Sequence, residues 1–144
     1  MSSARGMVYN LSTIMPGRDP SHWLHRFDAA EWLRAAENEL GRAEDALAHK
    51  QQRPGVAGAR RAAGMAWNAV LVGAADDAYG RSYMDHLQAL AKDERAPAPV
   101  RAAAALLVAA PLATNVIPLG RGDTRFADAA RVIVDEARRR VSAS

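Results

Sequence analysis

Apolar residues recur every three or four positions through successive stretches of this chain, and no stretch alternates cleanly. Helices are therefore the elements it can build. The clearest stretch runs from 28 to 50. Asp28 suits an N-cap and Glu31 stands three residues on, the acidic form of a capping box. Phe27 and Trp32 have the spacing of a hydrophobic staple. Trp32, Leu33, Ala36, Leu40, Ala43 and Leu47 fall on one side, while Arg34, Glu37, Asn38, Gly41, Glu44 and Asp45 fall on the other. That pattern predicts a surface helix with one apolar face.

Pro54 suits the first turn of a second helix. Its stripe is Val56, Ala59, Ala63, Trp67, Val70, Leu71 and Ala74, and Met65 and Val72 lie roughly opposite. A helix covered on two sides belongs at the centre of a bundle, and the short link Gln51-Gln52-Arg53 predicts an antiparallel hairpin with the first. Asp76 and Asp77 end the second helix or cap the next. A third, shorter helix follows Gly80, over Arg81 to Ala91, with Tyr83, Leu87, Leu90 and Ala91 toward the core. The turn Ala96-Pro97-Ala98-Pro99 leads to a fourth, anchored by Val100, Ala104, Leu107 and Val108. A loop from Pro111 to Gly122 holds an extended patch, Asn115 to Pro118. Asp123 or Thr124 caps a fifth helix, with Phe126, Ala130, Ile133, Ala137 and Val141 inward and Asp128, Arg131, Asp135 and Arg138 in water. The expected class is all-α, an antiparallel helical bundle of about five helices.

The length of 144 residues suits one domain with a core of its own. Residues 1–20 read as a flexible leader, with Met7 and Met15 as further candidate starts, and 21–144 as the folded bundle. The absence of cysteine removes disulfides, thiolate metal sites and cysteine nucleophiles. No signal-peptide core is visible. The longest apolar run, Ala102 to Ala113, is too short to span a bilayer, so no membrane association and a cytoplasmic location are expected. The net charge is +3, with 17 arginines against Lys50 and Lys92. The sixteen acidic residues are interleaved with the bases. Arg60 with Arg61, and Arg138 to Arg140, are therefore read as solvated faces that could also steer an anion.

No phosphate-binding loop, dinucleotide fingerprint, zinc-protease pair or nucleophile elbow is present. His22 and His25 sit before the first cap, and His49 lies where a cation suits a helix end. No metal and no cofactor are expected. One pair stands apart: Arg81, followed after four residues by His86, at the head of the third helix. A histidine near its ordinary pKa can move a proton, and an arginine can hold a phosphate by two parallel hydrogen bonds. Five residues on a regular helix turn the two side chains well apart. Both can meet one phosphate only if Arg81 precedes the first regular turn, which Gly80 permits. The plain alternative is that Arg81 pairs on the surface with Asp77 or Asp85 while His86 lines the edge of the bundle. Tyr79, Tyr83 and Trp67 read first as core.

A long helical hairpin, then Arg-x4-His, then closing helices is an order that resembles the HEPN superfamily. The segment Val56 to Leu71, with small residues at its close contacts, is similar to the second helix of such proteins. The resemblance spans about 22–141. It implies an Arg-x4–6-His site completed across a homodimer. In members that are ribonucleases the RNA 2′-hydroxyl is the nucleophile and no metal takes part. His86 would then be the acid/base and Arg81 the phosphate clamp, with Arg60, Arg61, Tyr83 and Asp85 as weaker substrate-binding candidates. Ser82 stands where nuclease members often carry Asn, Asp or His. Gln88 stands where antitoxin-controlled members carry a tyrosine. Both departures favour a dimerising module that binds RNA, a nucleotide or a partner such as a nucleotidyltransferase. The alternative is a toxin-like, metal-independent ribonuclease.

Overall fold

Asp28 starts the first helix as its side chain allows. Its Oδ1 accepts the Glu31 amide at 2.8 Å, and Glu31 Oε1 accepts the Asp28 amide at 2.9 Å. The Phe27 and Trp32 rings meet edge-on with centroids 4.9 Å apart, closing the staple. This helix, α1, runs Ala29–Ala48 and buries Trp32, Ala36, Leu40, Ala43 and Leu47. It ends in a Schellman turn. The Lys50 amide donates to Leu47 O and the Gln51 amide to Ala46 O, with Lys50 itself in the left-handed region at φ 61°.

The computed structural model describes residues 23–110 and 124–143. The leader 1–20 and the extended patch 115–118 lie outside the described residues. Within them the order is a 3-10 turn Trp23–Arg26, α1, α2 (Gln52–Gly73), a 3-10 turn Asp77–Tyr79, α3 (Tyr83–Lys92), α4 (Ala98–Ala109) and α5 (Arg125–Ala143), with no strand. The described chain is an all-α bundle, and no helix in it is long and apolar enough to cross a membrane.

The α1–α2 hairpin is antiparallel, and small residues set its spacing. A Cβ on Gly55 would meet Leu47, and one on Gly58 would lie 3.1 Å from Ala43 Cβ. Further along, Arg61 donates to Glu39 at 2.7 Å. Helix α2 is buried around much of its circumference, through Val56, Ala59, Ala62, Ala63, Ala66, Trp67 and Leu71. It packs against α1, α3 and α5. Helices α3 and α4 pack on each other, and α4 leans on α5. Thr124 begins α5 by accepting the Asp128 amide on its carbonyl at 2.8 Å. Arg131 and Arg138 of α5, expected in water, reach across to Glu37 of α1.

The head of α3 differs from expectation. The helix begins at Tyr83, because Ser82 is the N-cap. Its Oγ accepts the Asp85 amide at 2.9 Å, and the Asp85 carboxylate takes the Ser82 amide in return. The inward line is turned as well. His86, Leu87 and Leu90 are fully buried, while Tyr83 and Ala91 are half-buried.

Candidate anion-binding cleft

Three local structures converge at the head of α3. The first is the 3-10 turn that carries Arg26. The buried indole of Trp32 donates to Leu24 O at 2.9 Å, fixing this turn against α1. The second is the approach to α3. Gly80 adopts φ 65°, where a side chain is disfavoured, and redirects the chain so that Arg81 precedes the helix. The Asp85 carboxylate accepts the amides of Arg81 and Ser82, each at 3.3 Å. These backbone hydrogen bonds hold its pKa below the ordinary carboxylate value. The third is the bed under Tyr83. A Cβ on Gly64 would overlap the Tyr83 ring, so only glycine lets the ring lie on α2.

The result is an open cleft of about 300 Å³ lined by Arg26, Trp32, Arg81, Ser82 and Tyr83. Among the described residues no carboxylate lines it. Burial raises the pKa of the Tyr83 hydroxyl, and Glu39 raises it further, against the lowering fields of Arg26 and Arg61. That hydroxyl therefore stays protonated near neutral pH and can donate. The α3 amides that the capping box does not use, those of Tyr83 and Met84, head the same helix, where the dipole favours an anion. Two guanidinium groups, two hydroxyls and two aromatic edges can hold a phosphate and its attached organic group.

His86 stands behind this cleft. Its side chain is 0% exposed. Nδ1 donates to Tyr79 O at 2.7 Å, and Nε2 lies 2.7 Å from Oδ1 of Asn68 on α2. Burial lowers its pKa, against the raising influence of the Tyr79 carbonyl and Asp85. Tyr83 is the layer between: it lines the cleft, and its centroid is 6.4 Å from that of the imidazole. The pair read from the sequence is thus divided, with Arg81 at the cleft and His86 in the core.

The weaker candidates separate too. Arg61 lies close enough to act on Tyr83 electrostatically, although Glu39 holds its guanidinium. Asp85 belongs to the capping box of α3 and lines a different cavity, with Gln88 and Lys92. Arg60 folds onto the end of α4, where it donates to Leu107 O at 2.7 Å and Ala110 O at 2.7 Å. Glu37 holds Arg138, and Glu136 holds Arg139 and Arg140. Arg26 was missed in the sequence, where only its place beside the staple residue Phe27 marked it. Among the described residues no group of histidines and carboxylates has the arrangement of a metal site. In comparison with known proteins, no family model matches the chain, and no curated protein or solved structure matches it.

Proposed function

We propose that this chain is a HEPN-like helical module that binds phosphate groups of RNA or of a nucleotide in the cleft between the 3-10 turn at Trp23–Arg26 and the head of α3. The observation that carries the reading is a cleft whose described walls hold two arginines, a serine and a tyrosine and no carboxylate. Arg26 and Arg81 hold the phosphate, the Tyr83 hydroxyl donates to it, and the aromatic edges of Tyr83 and Trp32 meet the sugar or base. Binding without cleavage is favoured over the ribonuclease alternative, because the histidine that would move the proton is enclosed and both its nitrogens lie within hydrogen-bond distance of protein groups, Tyr79 O and the Asn68 amide. The homodimer implied by the resemblance belongs to the same proposal.

The test is fluorescence anisotropy of a labelled single-stranded RNA, with EDTA present and salt varied, alongside the mass of the protein in solution. A dimer is expected to bind the RNA without degrading it. The double variant Arg26→Ala/Arg81→Ala is expected to bind at least about tenfold more weakly, with a salt slope shallower by about one. Unchanged affinity in that variant would remove the cleft from the account. RNA cleavage in EDTA that disappears in both Arg81→Ala and His86→Ala would instead establish the ribonuclease reading.

A further inference from the structure

Arg140, near the end of α5, is an arginine held in place while its terminal nitrogens make no hydrogen bond among the described residues. Its Nε donates to Glu136 Oε2 at 2.8 Å, and its guanidinium lies over the Trp67 ring, 5.0 Å from the centroid. Glu136 also pairs with Arg139, so this group of three keeps a net positive charge. The two terminal nitrogens of Arg140 make no hydrogen bond among the described residues, and the side chain is 30% exposed.

Two cavities of opposite character meet at this side chain. One, of about 390 Å³, has Trp67, Tyr79, Asp76, Asp93 and Arg95 on its walls. The other, of about 240 Å³, is walled by Ala29, Ala69, Val72, Gly73 and Val141. They share Val70, Ala74 and Arg140 and so form one trough along the end of α2. The polar chamber is internally tied: the Tyr79 hydroxyl donates to Asp93 at 2.6 Å, and Arg95 bridges Asp93 at 2.9 Å and Asp76 at 3.2 Å. Asp76 and Asp93 offset the charges of Arg95 and Arg140 among the described residues of that chamber, which disfavours a multiply charged anion. Apart from Arg140, the described residues of the apolar chamber carry no charge. A ligand suited to both carries a single negative charge at Arg140 and an uncharged body over the alanines and valines.

We propose that this trough binds an apolar monocarboxylate, with the carboxylate on the terminal nitrogens of Arg140 and the hydrocarbon chain over Ala29, Ala69, Val72 and Val141. Parallel N–H donors on a rigid plane match a carboxylate two to two, and an apolar cavity with one oriented polar group is the usual form of a small-molecule site. The site shares no lining residue with the anion cleft and does not depend on it.

The test is titration calorimetry of the full chain with octanoate, with octanol and inorganic phosphate as controls. Octanoate is expected to bind one to one and to shift the indole N–H resonance of Trp67, while octanol binds at least about tenfold more weakly and phosphate gives no shift of that resonance. Arg140→Gln is expected to lose at least about tenfold in octanoate affinity. Ala74→Leu, which fills the junction and leaves Arg140 in place, abolishes binding, and Arg81→Ala leaves it unchanged. Absence of octanoate binding, equal affinity for octanol, or binding unaltered by Ala74→Leu overturns the proposal. If Arg140→Gln fails to fold, the octanol comparison and Ala74→Leu decide.

Discussion

Among the described residues the imidazole nitrogens of His86 meet Tyr79 O and the Asn68 amide, and these contacts bear on its state. A carbonyl only accepts, so the nitrogen facing Tyr79 O carries a hydrogen. If Nε2 also donated, to Asn68 Oδ1, the ring would be a cation in a site that excludes water. Burial pushes the other way and lowers its pKa. A neutral ring needs a donor at Nε2, and the Asn68 Nδ2 group has no hydrogen-bond partner. A half-turn of that amide supplies the donor and leaves an oxygen where the amino group was. Nitrogen NMR of the side chain is therefore expected to show the neutral, Nδ1-protonated tautomer at pH 7. His86→Ala leaves a cavity and strips Tyr79 O and Asn68 of partners, at a cost of about 3 kcal/mol of folding stability. RNA affinity of the folded variant should change less than about twofold, since Arg26 and Arg81 remain. A variant as stable as the parent in urea denaturation would contradict this packing role.

Among the elements, the contacts of α2 distinguish one glycine from another. At Gly64 a Cβ would overlap the Tyr83 ring, whereas Gly41, exposed in the middle of α1, has nothing within 4 Å of its added Cβ. Gly64→Ala must push α3 from α2 or turn Tyr83 aside, which costs about 1–3 kcal/mol and weakens RNA binding along with stability. Gly41→Ala meets no neighbour and improves helix propensity, adding about 0.5–1 kcal/mol. Thermal denaturation of the two variants checks the contrast, and equal effects would refute it. Gly64 was legible in the sequence only as one of several small residues at close contacts. The start of α1 could be read directly, since Asp28, Glu31, Phe27 and Trp32 act on one another within a single turn. The end of α4 could not, because Arg60 caps it from 47 to 50 residues away in the chain. The head of α3 falls between these cases. Ser82 and Asp85 have capping-box spacing and lie between Arg81, which lines the cleft, and His86, which is buried. His86 lies four residues before Leu90, on the side that faces inward, and that periodicity was the available sign of its burial.

Across the whole molecule, ion pairs join elements that the apolar core alone would leave free to slide. Glu37 ties α1 to α5 through Arg131 and Arg138, and Glu39 ties α1 to α2 through Arg61. Glu37, Asp93 and Glu136 titrate in a different range from His86, so stability should fall in two stages on acidification. The folded pKa of His86 lies below the ordinary 6.5, so the unfolded chain takes the proton first. That contribution is present above about pH 6.5 and is lost as pH falls toward the lowered folded value. The carboxylates act lower down. Burial raises the pKa of Glu37, but hydrogen bonds from Arg138 and Arg131 bring it below its ordinary value. Hydrogen bonds from Arg95 and then Tyr79 depress Asp93, and those from Arg139 and Arg140 depress Glu136 despite its burial. Their contributions are present above the ordinary carboxylate range, about pH 4, and disappear as pH falls through the depressed values. Urea midpoints measured from pH 8 to pH 3 should thus show a shallow decline beginning below about pH 6.5 and a steeper one below about pH 4.5. His86→Gln should remove the first decline and keep the second. Glu37→Gln should reduce the second and keep the first, with a loss of about 1 kcal/mol or less at pH 7 because the pair is partly exposed to solvent. A midpoint that stays level from pH 8 to pH 5 in the parent chain would show that His86 does not remain neutral in the fold.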